Sequence, residues 1–319
     1  MSVPLAHETH GAGTGLVLLH GVGLDRRMWD RCLPGLAAAH RVTLADLRGH
    51  GASPAAGAST SCAALAGDVA ALVERTTHGE GREGPVHLVG FSLGALVAQR
   101  LAVDRPELVA SLTLVSSVAA RSARERAAVA ERRRRAAEDF GASARAAVER
   151  WFAPAWRARE PETADAVLRT LLATDHASYL ACYDIFGTAD AELWPLLPGI
   201  AAPTLAITGV DDPGSTPEMT RRLAARIPGA RGAVVPDTRH LLPLERPDPL
   251  VTAVLAHTAE AEGAEGTAEV RDGAVPRAAP AASAAVPPPA PPSVPPAPPV
   301  PPSPPTSPSL PTGQECPRR

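Results

Sequence analysis

A chain of 319 residues can form one large domain or two ordinary ones. Its 45% hydrophobic content allows a sizeable core, which must be built from Ala, Val and Leu because only 3% of the residues are aromatic. The formal net charge of -3 gives no global attraction to nucleic acid. Apolar runs broken by Ser, Gln, Arg or Pro before about 18 residues leave no expected membrane span.

All 31 basic residues are arginine. The segment MSVPLAHETHGAG has no basic region followed by an apolar stretch, so no signal peptide is expected. Cys32, Cys62, Cys182 and Cys316 form no C-x-x-C pair, and no histidine stands at metal-ligand spacing from them. The expectation is therefore reduced thiols, a cytoplasmic location and no metal.

Along the chain, one short segment (4–10) precedes the first apolar run, 15–20 (GLVLLH), which reads as a buried strand. The run 40–45 (HRVTLA) reads as a second, and 63–75 has helical period. A third strand is expected at 86–90 (VHLVG), followed by a helix over 95–103, and a fourth at 111–116 (SLTLVS). The runs 203–208 (PTLAIT) and 233–236 (AVVP) complete the set. Short apolar strands separated by helices predict an α/β fold, a mostly parallel sheet with helices on both faces.

The strand pattern stops between residues 119 and 200, where helical segments rich in Ala, Arg and Glu predict a cap inserted after the strand that follows the helix over 95–103. The run Arg132–Arg135 lies in this cap and reads as a solvated helix face, with contact to an anion as the alternative. The expected organisation is a core over 1–118, a helical cap over 119–200, the rest of the core over 201–258, and a disordered Ala/Pro-rich tail over 259–319. Proline-rich sequence without amide donors is extended or disordered, and such a tail is a potential ligand for a polyproline-recognising domain.

Chemistry enters at Gly90-Phe91-Ser92-Leu93-Gly94, a G-x-S-x-G motif at a strand-to-helix junction. The glycines give a sharply bent serine room, and the bend projects its hydroxyl above the sheet edge. A serine hydroxyl needs a base, and the base needs an acid to orient it. His240, in the loop after AVVP, is the expected base. His257, in the last helical pattern, reads as a surface or packing residue. The acid lies in ITGVDDPGSTP: Asp212 is preferred and Asp211 is expected to face solvent.

An oxyanion requires backbone donors. The amides of Leu93 and Val22 are the candidates, with Gly23 as the alternative to Val22. In DLRGHG, Asp46 and Arg48 are expected to pair and fix the loop, and His50 to be structural.

Taken together, HGVGLD, DLRGHG, GFSLG, GVDDPGSTP and RHLLPLERP resemble the α/β-hydrolase superfamily, in that family's order, over the whole chain except the tail. The resemblance implies an α/β-hydrolase fold and a Ser-His-Asp triad. The segments HGVGLDRRMWD, RWFAPAWRAREPE, LLATDHASYLACY and RHLLPLERPDP resemble 3-oxoadipate enol-lactonases and their relatives, which hydrolyse a small anionic lactone. In that family the R-W-F segment of the cap contributes to the pocket, which points to Trp151.

The implied function is cofactor-free, serine-dependent hydrolysis of a small-molecule ester or lactone, with no nucleic acid or membrane partner. The alternatives are a general carboxylesterase, a cofactor-free perhydrolase or haloperoxidase, and a non-catalytic ligand receptor on the same fold. If the substrate is anionic, an arginine must meet its carboxylate, and the sequence does not single one out.

Overall fold

In the computed structural model, which describes residues 2–78 and 84–272, seven strands form one sheet in the order β1-β3-β2-β4-β5-β6-β7. They are β1 (His7–His10), β2 (Gly15–Leu19), β3 (Arg41–Ala45), β4 (Val86–Phe91), β5 (Val109–Val115), β6 (Thr204–Gly209) and β7 (Arg231–Val235). From β3 through β7 every pairing is parallel, whereas β1 runs antiparallel on β3, with His7 opposite Ala45.

The three strands β4, β5 and β6 are buried along their whole length, as continuous apolar runs inside a helix-covered sheet must be. The two edges differ. All four residues of β1 are exposed, and β7 buries only Val235 fully. Edge strands face solvent along one side, so polar residues such as the HETH of β1 are tolerated there.

Two helix pairs cover the sheet. α1 (Leu33–Ala37) packs with α11 (Pro247–Asp272), while α2 (Cys62–His78) packs with α3 (Leu93–Asp104). Between β5 and β6 the chain leaves the sheet for five helices: α4 (Ala123–Glu138), α5 (Phe140–Trp151), α6 (Pro154–Arg159), α7 (Pro161–Ala173) and α8 (His176–Leu193). Their starts follow from local chemistry. The Ser122 hydroxyl and Glu125 carboxylate form a reciprocal capping box on α4, Asp139 accepts the Ala142 amide at α5, and Asp175 accepts the Ser178 amide at α8. After β6 come α9 (Pro217–Arg226), then β7, α10 (Leu242–Glu245) and α11.

One expectation shifts here. The sequence places the tail from residue 259 onward, yet α11 continues to Asp272, and Glu262 on it accepts a hydrogen bond from the Thr14 hydroxyl at 2.7 Å. The Ala/Glu/Gly composition that ended the apolar pattern is compatible with helix, and a polar contact to the β2 end replaces apolar burial. The described residues fall within one compact unit, Met1–Ala274. The proline-rich part of the expected tail lies outside the described residues.

Candidate active site

The parallel register sets the carboxyl ends of the strands side by side: Leu19 opposite Gly90, Phe91 opposite Val115, Val115 opposite Ile207 and Gly209 opposite Val235. Loops leaving this edge carry the residues of interest. Ligands of open α/β sheets bind outside this end.

Ser92 follows β4 directly and has φ 52° and ψ -109°, a backbone conformation that costs a non-glycine residue about 1–3 kcal/mol. Neighbouring contacts hold it there. The Ser92 amide donates to the Val115 carbonyl at 2.9 Å and the Gly94 amide to the His20 carbonyl at 3.0 Å. A Cβ at Gly90 would lie 2.3 Å from the Gly94 oxygen, and one at Gly94 would lie 2.6 Å from the oxygens of Leu19 and His20. The bend therefore requires glycine on both sides. Ser92 is also the N-cap of α3 but makes no side-chain capping bond, unlike Asp139, Asp175 and Thr216 on their helices. Its hydroxyl is not consumed in holding the helix.

His240 and Asp212 meet. The imidazole Nδ1 lies 2.7 Å from Asp212 Oδ2, and both side chains are buried. Asp212 Oδ1 accepts the amides of Gly214 and Ser215 at 2.8 and 2.9 Å, and the Thr208 hydroxyl lies 3.3 Å from Oδ2. A carboxylate held by donors has only acceptor sites to offer, so Nδ1 carries the hydrogen and Nε2 is the basic nitrogen. Asp211 is exposed, with its amide donating to the Thr238 carbonyl.

The two loops cross at Gly209, where a Cβ would lie 2.3 Å from the Thr238 oxygen and 2.4 Å from that of Arg239. His240 is further fixed through its backbone. Its amide donates to the Trp151 carbonyl at 3.0 Å and its carbonyl accepts the Ser116 hydroxyl at 3.0 Å. Phe91 and Trp151 flank the imidazole with ring centroids 4.9 and 5.9 Å away.

Ser92, His240, Asp212, Val22 and Trp151 line one cavity of about 480 Å³, counting the space at its solvent-open mouth. Among the described residues the amides of Val22 and Leu93 have no protein acceptor, which leaves both available to a developing negative charge. The amide of Gly23 is already committed, donating to His50 Nε2 at 2.8 Å.

Sequence reasoning missed how this loop is braced. His20 Nδ1 donates to the Gly21 carbonyl at 2.8 Å while its Nε2 accepts the Leu47 amide at 2.8 Å, and the rings of His20 and His50 meet edge to face at 4.9 Å. Burial lowers the pKa of both, that of His50 to about 3. Neutral imidazoles are required, because each must accept an amide hydrogen.

The expected pairing of Asp46 with Arg48 is corrected by the structure. Asp46 takes Arg26 and the Ala52 amide instead, and Arg48 bonds Asp68 through Nε and Nη2 at 2.8 and 2.6 Å. The chain turns at Arg48 and Gly49, which carries the Arg48 guanidinium to Asp68 on α2, while Gly51 lets Asp46 lie beneath the turn, where a Cβ would meet the carboxylate at 2.2 Å. The arginine run also divides. On the surface Arg133 pairs with Asp184, Arg134 with Glu131 and Glu138, and Arg135 with Glu131, whereas Arg132 lines the cavity.

Cys32, Cys62 and Cys182 are buried free thiols, each with its pKa pushed up to about 12 by burial, so none is an activated nucleophile. Away from the cavity, near the amino ends of β3 and β4, ligand-capable atoms of His40, His87 and Glu262 lie within 4.8 Å of one another. Their polar atoms already bond the hydroxyls of Thr14, Thr258 and Ser111 and each other. His257 is a packing residue, buried against the carbonyls of Leu112 and Pro203. Among the described residues no helix is long and apolar enough to cross a membrane.

This architecture defines a class, and comparison with known proteins agrees. The chain belongs to the alpha/beta hydrolase family, whose pattern it matches over residues 16–253. It is 30% identical over 249 residues to an (E)-2-((N-methylformamido)methylene)succinate hydrolase of Acinetobacter baylyi, covering 77% of this chain and 90% of that protein. Among solved structures, the enol-lactonase from Burkholderia xenovorans LB400 superposes with a TM-score of 0.72 at 28% identity, over 80% of this chain and 96% of the other. A thermophilic esterase from Thermogutta terrifontis gives 0.71 at 26% identity, over 81% and 93%. The protein is a hydrolase of this family.

Proposed function

We propose that the chain hydrolyses small carboxylic esters or lactones through an acyl-enzyme on Ser92. The observation that carries this reading is the Asp212–His240 bond of 2.7 Å beside an uncapped, sharply bent serine in the same cavity. In this mechanism Ser92 Oγ attacks the carbonyl carbon as His240 Nε2 takes the hydroxyl proton. Asp212 keeps the proton on Nδ1 and stabilises the imidazolium. The oxyanion is received by the amides of Val22 and Leu93. Collapse of the tetrahedral species breaks the bond to the alcohol oxygen, which leaves with the proton from His240. A water then gives its proton to His240 and attacks the acyl carbon, and the proton returns to Ser92 as the acid departs. In a lactone the leaving oxygen stays tethered to the acyl chain until that second step.

Trp151 forms an apolar wall of the pocket. The lactone arm of the proposal draws on the Burkholderia enol-lactonase and the ester arm on the Thermogutta esterase. Among the described residues, the buried free thiols of Cys32, Cys62 and Cys182 accord with a reducing, cytoplasmic setting.

The test is covalent labelling of Ser92 by a fluorophosphonate together with turnover of p-nitrophenyl esters and enol-lactones. Ser92→Ala should abolish labelling and lower kcat by roughly 10⁶-fold, the scale seen when a triad serine is removed. Asp212→Asn should lower kcat by about 10⁴-fold with little change in KM. Labelling that persists in Ser92→Ala would refute the proposal.

A further inference from the structure

Three guanidinium groups reach the cavity from the chain that forms the cap, and none has a part in the bond-making steps. Arg121 lies just before α4, Arg132 on α4 and Arg150 near the end of α5, and all three line the cavity with Ser92 and His240. Arg121 is held rigidly. Its Nη1 donates to the Phe186 carbonyl at 2.8 Å and to Asp190 Oδ1 at 2.9 Å, and its guanidinium lies 4.3 Å from the Phe186 ring centroid. Its other terminal nitrogen, Nη2, is buried and has no hydrogen-bond partner.

Among the described residues, Arg132 donates to the Tyr183 hydroxyl alone, at 3.2 Å, and Arg150 to a carbonyl of its own helix alone, at 3.4 Å. Among the described residues neither has a carboxylate partner. Burial, reinforced by Arg132, works against the charge on Arg150.

The nearby acids do not balance this charge. Asp190 is taken by Arg121, through both its Nη1 and its backbone amide, and Asp212 is taken by His240 and two amides. A buried donor left unmatched costs about 1–3 kcal/mol, more when charged, and like charges gathered in a small cavity add to that cost. An arriving anion removes both penalties. Arginine forks match the planar pair of oxygens on a carboxylate, and a small cavity that must also seat the reacting carbonyl favours a compact anion.

Resting on the hydrolase reading above, we propose that Arg121, Arg132 and Arg150 form an anion subsite that holds a free carboxylate on the acid part of the substrate, so that the preferred substrates are half-esters or lactones of short dicarboxylic acids. Arg121 is the fixed donor, set by Asp190. Arg132 and Arg150 supply the charge.

The experiment compares kcat/KM for monomethyl glutarate and for methyl butyrate, a neutral ester of similar size, in the full chain and in Arg132→Gln, Arg150→Gln and the double variant. Arg121 is left intact because its pair with Asp190 is buried in the fold. The wild-type protein should prefer the half-ester by about 10-fold or more, and each substitution should cut that ratio about 10-fold, chiefly through KM, as loss of one charged hydrogen bond implies. Glutarate should inhibit competitively, and inorganic phosphate less strongly.

If Ser92 is labelled by a fluorophosphonate but the wild-type ratio is near one, or the variants leave it unchanged, the subsite is overturned and the hydrolase reading stands. If phosphate inhibits better than glutarate, the carboxylate assignment is overturned. If Ser92 is not labelled and no ester turns over, the hydrolase reading falls, and calorimetric titration with glutarate decides the subsite alone. Binding that is lost in the double variant supports it, and no binding to wild type refutes it.

Discussion

Gly94 shows how little freedom the turn at Ser92 has. Its α-carbon faces two backbone oxygens of the β2 end, and backbone cannot rotate away as a side chain can. Gly94→Ala should lower stability by about 1–3 kcal/mol, the usual range for overpacking, visible as a lower Tm in calorimetry, and should cost activity because relief of the clash moves Ser92. At this scale much of the site was legible in the sequence. Ser92, Asp212 and His240 were each named by a residue type that must stand at a particular point of the chain, and all three come to one cavity. Arg132 and Arg121 were not separable from the other arginines. A helix face is decided by which neighbours pack against it, and Tyr183, Phe186 and Asp190 lie on α8, more than fifty residues away.

The elements are joined by groups that the motif alone does not reveal. Glu245, at the end of the short α10, is buried, and burial raises its pKa. One carboxylate oxygen accepts the Ala153 amide at 2.6 Å and the other the Arg239 amide at 2.7 Å. It thus ties the junction between α5 and α6 to the loop that carries His240. Glu245→Ala should leave two amides unmatched, costing about 1–3 kcal/mol each if they stay buried, and should lower kcat more than it raises KM because the imidazole loses its support. Urea denaturation and steady-state kinetics on the same preparation check both. Element boundaries were less legible than element types. The exposed strand β1, with the sequence HETH, carries no apolar signal, and α11 outruns its apolar pattern because polar contacts at Glu262 take over.

Across the whole molecule, neutral histidines are built into the fold. Burial lowers the pKa of His20, His40, His50, His87 and His257, so the native state resists taking up protons that an unfolded histidine, with an ordinary value near 6.5, accepts. In the window below about pH 6.5 the unfolded chain therefore binds more protons, and stability falls as pH falls. For His50 this continues until about pH 3. Each histidine that stays neutral contributes a slope of up to about 1.4 kcal/mol per pH unit. Urea midpoints measured at pH 7.5, 6.0 and 5.0 should drop at each step, and a flat profile would show that these imidazoles titrate freely in the native state.

The carbonyl of Trp151, the last residue of α5, grips the backbone amides of both His240 and Leu241. The same residue that lines the pocket anchors the strip of chain carrying His240. A large swing of α5 would therefore break these two bonds or drag the backbone of His240 with it. If Ser92 and His240 act as proposed, molecules that enter through the existing mouth with small side-chain movements would be favoured over those that need α5 to swing away.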